Sequence, residues 1–362
     1  MTLTVVDLFA GCGAGAMGFV DAGFDVRAAV ELDPNAARAY ELNVGIKPLV
    51  TDIRKVTDDA ILTASRLGPG ECTLLFGCPP CQSFTALRRG QATPVEDDRD
   101  TLPREYVRIA SALKPRHIAF ENVPGMINGR GRDEFTRLRA ALTSLGYQLT
   151  SAVVDAADYG VPQHRNRVLV IGSRVTAARL PKVTHAADGG RGKRIAKHRT
   201  VRHAIADLNA LVSGEGDPRD PYHRARRHAD IALRRLRLIP EGGGRDHLPD
   251  DLVLDCHRDH DGHHDIYGRM WWDRPSPTLT SGCTNVTRGR FAHPEQDRAI
   301  TLREAMRLQT MPRRTQLAGR TDEMALQIGN AVPTKLAAAI GELIAELEAE
   351  SRKRVAPPRS AA

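Results

Sequence analysis

Residues 3–22 constrain this chain more than any other stretch. The apolar run Leu3-Thr-Val-Val-Asp-Leu-Phe9 leads without a break into Ala10-Gly-Cys-Gly-Ala-Gly-Ala-Met-Gly18. Such a run reads as a buried strand, and Gly11, Gly13 and Gly15 permit a tight turn that lets backbone approach a ligand closely. A helix is expected over 15–22. The rhythm then repeats, with strands at 25–32, 72–76, 117–121 and 168–171 and helices at 35–42 and 104–113. Strand–helix alternation of this kind predicts an α/β class, a doubly wound parallel sheet covered by helices on both faces.

The rhythm stops after about Ser173. Between 185 and 245 the chain carries Arg191, Lys193, Arg194, Lys197, Arg199, Arg224, Arg226, Arg227, Arg234, Arg235 and Arg237, and Gly242-Gly-Gly244 marks a loop. The reading is a first domain over 1–180 and a smaller, irregular one over 181–300. A region over 301–350 returns to the first domain through a helix at 333–347, and 351–362 forms a disordered basic tail. At 362 residues, 41% of them hydrophobic, the chain has the apolar material for this plan. Its net charge of +8 favours a polyanionic partner. The six cysteines show no disulfide framework, the N-terminus lacks a basic leader, and no apolar run approaches the roughly 20 residues that span a bilayer. These features are read as a cytoplasmic protein without membrane association.

About 20 residues after the glycine turn, Glu31 ends the second strand, where a carboxylate accepts hydrogen bonds from ribose hydroxyls. Phe9 brings an aromatic face beside the turn that can stack on adenine. Gly13-Ala-Gly-Ala-Met-Gly18 formally matches a dinucleotide fingerprint, so NAD and S-adenosylmethionine (AdoMet) both fit this end of the chain.

Gly77-Cys-Pro-Pro-Cys-Gln-Ser-Phe84 follows a buried strand, at the carboxyl edge where parallel sheets bind ligands. The prolines fix φ and remove backbone donors, so Cys81 sits on a stiff loop that leads into a flexible one over 85–100. Cys78 and Cys81 also have the spacing of a redox pair or half a zinc site, and Cys256 stands beside His257, His260, His263 and His264. With no second CxxC and no small βαβ redox domain, no metal is expected. Glu121 ends the next strand, at the same edge as Cys81, where a carboxyl can share a proton with a ring nitrogen. Arg165 and Arg167, two apart before residue 168, are expected on one face and suit an anionic or carbonyl-rich ligand.

Taken in order, these segments resemble the bacterial cytosine-5 DNA methyltransferases. The resemblance rests on Asp7-Leu-Phe-Ala-Gly-Cys-Gly13, Glu31-Leu-Asp-Pro34, Asp52-Ile53, Pro79-Pro-Cys-Gln82, Glu121-Asn-Val123, Gln163-His-Arg-Asn-Arg167, Arg303-Glu-Ala-Met-Arg-Leu-Gln309 and Gln327-Ile-Gly-Asn-Ala-Val-Pro333. They span the chain outside its basic middle, and NAD falls away. The resemblance implies an AdoMet-dependent, Rossmann-like methyltransferase fold. Its AdoMet pocket would be lined by Phe9, Gly11, Gly13, Glu31, Asp52, Ile53, Pro80, Leu102, Asn330 and Val332. Cys81 would be the nucleophile at C6 of a flipped-out cytosine in double-stranded DNA. Glu121 would hold N3, with Arg167 near the base carbonyl and Arg165 near the thiolate or a phosphate. The segment over 181–300 takes the place of the family's target-recognition region. A monomer in the nucleoid is implied, with a cognate restriction endonuclease acting separately. Methylation of RNA or of a free pyrimidine nucleotide, and an inactive DNA-binding regulator on the same scaffold, are the competing readings. The basic middle region and the intact Cys81, Glu121, Arg165 and Arg167 weigh against them.

Overall fold

A computed structural model describes residues 2–80, 101–129, 131–190, 195–253 and 264–355. The chain divides into two compact units, one of Met1–Asp155, Asn166–Lys182 and Thr334–Ala362, the other of Ala156–Arg165 and Val183–Pro333. This division places 301–333 with the second unit and the chain from Thr334 with the first.

The first unit is built on seven strands: β1 (Leu3–Leu8), β2 (Phe24–Glu31), β3 (Leu49–Val50), β4 (Leu74–Gly77), β5 (His117–Asn122), β6 (Gln148–Asp155) and β7 (Asn166–Ser173). Between them run α1 (Ala14–Asp21), α2 (Pro34–Val44), α3 (Asp58–Ser65), α4 (Leu102–Leu113), α5 (Gly125–Asn128) and α6 (Arg132–Ser144). The strand order is β3-β2-β1-β4-β5-β7-β6. Strands β4 and β5 are buried at every residue, as expected of strands covered on both faces. Val6, Leu8, Leu75, Tyr106, Ile109, Phe120, Met126 and Leu138 share one core on one side of the sheet. Helix α2 starts where Asp33 accepts the Ala36 amide at 2.7 Å and Pro34 takes the first turn, so the chain leaves β2 along a fixed path.

The sheet is not wholly parallel. Strand β7 lies antiparallel between β5 and β6. The sequence concealed this because β6 is half exposed along most of its length and so offers no apolar run. Strand β7 also begins at Asn166, so the period-two alternation expected to pair Arg165 with Arg167 applies only from Asn166 onward.

The second unit has little regular structure, as its composition suggests. It holds β8 (His185–Ala186) paired with β9 (Ala196–Lys197) and the helices α7 (Val201–Ile205), α8 (Asp230–Leu238), α9 (Leu302–Leu308) and α10 (Thr321–Asn330). Buried guanidinium groups do much of the work that hydrogen-bonded ladders do elsewhere. Arg269, 3% exposed, donates to the carbonyls of Leu236, Ile239, His293 and Gln296 and pairs with Asp297. Arg235 donates to Leu252 O, and Arg290 to the carbonyls of Gly242, Gly243 and Arg269. Arg298, fully buried, grips Glu304 through two bonds of 2.8 Å. Burial works to raise the Glu304 carboxyl, but Arg298 and the Thr301 amide hold it down at about 2. A buried charge this well paired stays ionised.

The last helix, α11 (Thr334–Val355), belongs to the first unit and extends eight residues past the predicted end at 347. Residues 351–355, expected in the tail, are helical, and Ser351 is buried. Residues 356–362 lie outside the described residues. Glu348 of α11 accepts from Arg116 at 2.6 Å and sits 2.9 Å from His117 Nε2, which fastens the helix to the start of β5. Helix α11 also meets α1 at Gly18. A Cβ there would stand 2.3 Å from Thr334 O and 2.8 Å from Ala338 N, both main-chain atoms. No helix among the described residues is long and apolar enough to cross a membrane.

Gly18→Ala tests this contact. Alanine is the better helix former, by about 1 kcal/mol. Overpacking against α11 nonetheless outweighs that gain, and a net loss of about 1–3 kcal/mol is expected as a lower urea midpoint.

Candidate active site

Parallel register brings the functional residues together. Leu8 pairs with Val30 on one side and Gly77 on the other, and Gly77 pairs with Phe120. These four residues form one row across β2, β1, β4 and β5, and the next residue of each strand is Phe9, Glu31, Cys78 and Glu121.

At the β1–β2 end the turn is tightly specified. Phe9 and Gly11 take left-handed backbone conformations with φ of 58° and 56°, and Gly13 caps α1 at φ 85°. A Cβ on Gly13 would meet Val44 Cγ2 at 2.9 Å, whereas one on Gly11 would meet nothing within 4 Å. The backbone of Gly11 therefore borders open space. Glu31 Oε2 accepts the Gly11 amide at 2.7 Å, and Oε1 accepts the Asp33 amide at 2.8 Å. One carboxylate thus joins the turn after β1 to the start of α2. Burial raises its pKa, opposed by these amides, and the Asp33 charge adds to the rise, with no cation acting on it among the described residues. Its remaining lone pairs suit neutral donors such as hydroxyls. Asp52 caps the turn at Ile53–Lys55 and pairs with Arg54 at 2.6 Å, which holds its carboxyl below the ordinary value. Ile53 and Leu102 are buried, at 4% and 7% exposure. Glu31, bonded to the amide of the open Gly11 backbone, can accept from hydroxyl or amino donors.

Beneath the turn, Asp7 is 2% exposed and accepts from the Tyr40 hydroxyl at 3.2 Å. Burial pushes its carboxyl up to about 8, and the charge of Glu31 adds to this. Neither Asp7 nor Tyr40 was singled out in the sequence reading. An acidic residue inside an apolar strand was the available signal.

At the β4–β5 end, Gly77 is required because a Cβ would meet Tyr106 Cδ2 at 2.6 Å. The Tyr106 hydroxyl lies 3.1 Å from Leu75 O and 3.2 Å from Ala119 O, spanning the two strands. Beyond Gly77 the loop is fastened to β5 twice. Cys78 Sγ donates to Glu121 Oε2 at 2.8 Å, and Asn122 Nδ2 donates to Pro79 O at 3.2 Å. Pro79 is buried and Pro80 exposed. The Glu121 side chain is 2% exposed, and its Oε1 stands 3.1 Å from Arg167 Nε. That contact is an ion pair outside hydrogen-bond alignment, which leaves Oε1 without a hydrogen bond among the described residues. Cys81 and the loop over 85–100 lie outside the described residues, as do Cys256, His257, His260 and His263.

The other expected residues fall in the second unit. Arg165, 3% exposed, donates to Leu279 O at 3.2 Å and Gly329 O at 3.0 Å, tying two segments of that unit. Asn330 is exposed at the end of α10, and Val332 is buried two residues on. The basic residues of the middle region sort into two classes. Arg235 is internal, and Arg226 and Arg237 face Asp322 and Asp297. The side chains of Lys197, Arg199, Arg224, Arg227 and Arg234 face no carboxylate or hydrogen-bonding partner among the described residues. Arg191, Lys193 and Arg194 lie outside the described residues. Trp271 is held between Arg274 at 4.8 Å and Arg290 at 4.6 Å, against Gly242, where a Cβ would fall 1.9 Å from its indole nitrogen.

Comparison with known proteins gives a consistent result. A profile of the C-5 cytosine-specific DNA methylases matches residues 3–346. The chain is 35% identical to the Type II methylase M.HgiDII of Herpetosiphon aurantiacus over 95% of each chain. It is 31% identical to the Type II methyltransferase M1.HphI of Haemophilus parahaemolyticus, over 96% of this chain and 88% of that one. A prophage-encoded E. coli protein, described as a DNA modification methyltransferase, has a similar fold. Its TM-score is 0.70 over 96% of this chain and 99% of that one, at 22% identity.

Asp7 makes a prediction about pH. The folded state holds the Asp7 proton up to about 8, while the unfolded chain releases it near 3.8. Between those values the native state binds more protons, so its stability falls as pH rises. Asp7→Asn keeps an acceptor for Tyr40 and removes this contribution. Urea midpoints at pH 5 and pH 8 should therefore differ less in the variant than in the parent protein.

Proposed function

This chain belongs to the C-5 cytosine-specific DNA methylases and is an AdoMet-dependent DNA cytosine-5 methyltransferase, and from that premise we propose a mechanism in which Cys81 attacks C6 of a cytosine flipped out of a specific duplex sequence. AdoMet supplies an electrophilic methyl group on its sulfonium. Phe9, Gly11, Gly13, Glu31, Asp52, Ile53, Pro80, Leu102, Asn330 and Val332 hold it. Glu31 is held by backbone amides and shifted by no cation among the described residues, which supports its share of this role, since ribose hydroxyls satisfy its lone pairs without a counter-ion.

An aromatic carbon is a poor nucleophile, so the base must be activated. The Cys81 thiolate forms a bond to C6, and the electron pair of the C5–C6 double bond is displaced towards N3. Glu121 holds N3 and stabilises the charge that develops there, with Arg167 beside the base carbonyl. Activated C5 would then take the methyl group: the C5–CH3 bond forms as the S–CH3 bond of the sulfonium breaks, and the electron pair stays on sulfur in the departing thioether, S-adenosylhomocysteine. A base, such as an ordered water, removes the C5 proton, the C5–C6 double bond re-forms and Cys81 leaves as thiolate. The observation that carries this reading is the Glu121 carboxyl. It is buried, clasped by Cys78 and faced by Arg167, with Oε1 uncommitted to a hydrogen bond among the described residues.

Base flipping requires an offset of a few kcal/mol. Phosphate contacts from Lys197, Arg199, Arg224, Arg227 and Arg234, whose side chains face no carboxylate among the described residues, supply part of it. Residues 181–300 act as the target-recognition region. The chain works as a monomer in the nucleoid, in a restriction-modification pair whose endonuclease acts separately.

Labelled AdoMet and mixed-sequence duplex DNA, followed by nucleoside analysis, test the reaction. Label is expected in 5-methylcytosine, and label confined to RNA or free nucleotides would redirect the assignment. Cys81→Ser should abolish transfer with AdoMet binding intact. Glu121→Gln should slow transfer about 10²–10⁴-fold, and an active Cys81→Ser protein would exclude the covalent route.

The second unit gives an independent expectation. Arg224→Ala and Arg227→Ala should weaken binding to all duplexes alike and each lower the salt slope of log K by about 1. Arg269→Ala, which orphans several carbonyls, should instead lower the thermal midpoint.

A further inference from the structure

Cys78 stands where the sheet and the reactive loop meet. The residue before it, Gly77, pairs in register with Phe120, so Cys78 and Glu121 emerge side by side from β4 and β5. Its thiol donates to Glu121 Oε2 at 2.8 Å. The next residue's carbonyl, Pro79 O, accepts from Asn122 at 3.2 Å. Two consecutive loop residues are thereby joined to two consecutive residues of β5. Prolines 79 and 80 have no N–H to offer. Among the described residues, the loop's side-chain donor to the Glu121 carboxyl is therefore this thiol.

A carboxyl held at one oxygen by a hydrogen bond cannot rotate freely. Among the described residues, the charged or titratable groups in contact with Glu121 are Cys78 from the loop after β4 and Arg167 from β7. They take opposite oxygens. We propose that Cys78 is a positioning residue for methyl transfer: its thiol fixes the rotation of the Glu121 carboxyl and so presents Oε1, which carries no hydrogen bond among the described residues, to cytosine N3. This inference rests on the role proposed above for Glu121. It gives Cys78 a function separate from any redox or metal pairing with Cys81.

The test is a double-mutant cycle on single-turnover methyl transfer with saturating AdoMet and a duplex carrying the mapped site. Cys78→Ala should slow transfer by about 10- to 100-fold, the span of one hydrogen bond to a charged group. The Kd values for AdoMet and DNA should stay within about twofold, a tolerance well inside the tenfold that 1.4 kcal/mol represents. Cys78→Ser, which restores a donor on a shorter bond, should recover most of the rate. In a Glu121→Gln background, Cys78→Ala should add almost nothing, because both changes disable one unit. A parental rate in Cys78→Ala overturns the proposal, as does full additivity with Glu121→Gln. If Glu121→Gln itself transfers at the parental rate, the role of Glu121 fails first. If Cys78→Ala does not fold, Cys78→Ser in both backgrounds still decides, since additive losses there overturn it equally.

Discussion

Parallel hydrogen bonding holds Leu8, Val30, Gly77 and Phe120 in one row across β2, β1, β4 and β5, and the chemistry of the protein hangs on that row. Neighbouring strands are about 4.8 Å apart, so the residues that follow are spaced by the sheet rather than by their loops. On one side the row delivers Phe9 and Glu31, on the other Cys78 and Glu121. The two carboxylates stand in contrasting company. Glu31 is bound by amides with no cation acting on it among the described residues, whereas Glu121 is held by a thiol and faced by a guanidinium. A neutral, hydroxyl-bearing ligand suits the first, and a ring nitrogen that gains charge during reaction suits the second. One fold thus sets two carboxylates in different surroundings without long-range devices.

Where sequence and structure agree, the reason is local. The strand, turn and helix of residues 3–22 were legible because apolar runs and glycines act over a few residues. Glu31 and Glu121 could be placed because each ends an apolar run. The failures share a different cause. Strand β6 escaped notice because an edge strand alternates weakly, and with it went the antiparallel placement of β7. Arg165 looked like a companion of Arg167, yet its two terminal nitrogens grip main-chain carbonyls far along the sequence. Composition counted Arg235 together with Arg224. Only the fold shows that the first is internal and that the side chain of the second faces no carboxylate or hydrogen-bonding partner among the described residues. Cys78 was visible, but its spacing from Cys81 drew attention to the wrong neighbour.

Buried charge in the second unit follows from its irregular backbone. Segments without ladders leave carbonyls that water cannot reach, and each needs a donor. Arginine supplies five in a rigid plane, so one side chain serves several strands of loop at once. Such groups are expensive to desolvate, which is why Arg298 comes with Glu304 and Arg269 with Asp297.

An anchor that grips main-chain oxygen is indifferent to the side chain beside it. Arg269, Arg290 and Arg235 hold the backbone at Leu236, Ile239, Gly242, Gly243, Leu252, His293 and Gln296 by atoms that almost every amino acid possesses. Exposed residues between those fixing points, unlike Gly242 or the buried Tyr267 and Val286, can be exchanged without touching these bonds. A lineage can therefore rewrite the surface of this unit step by step while these bonds, and the strand ends of the first unit, stay untouched.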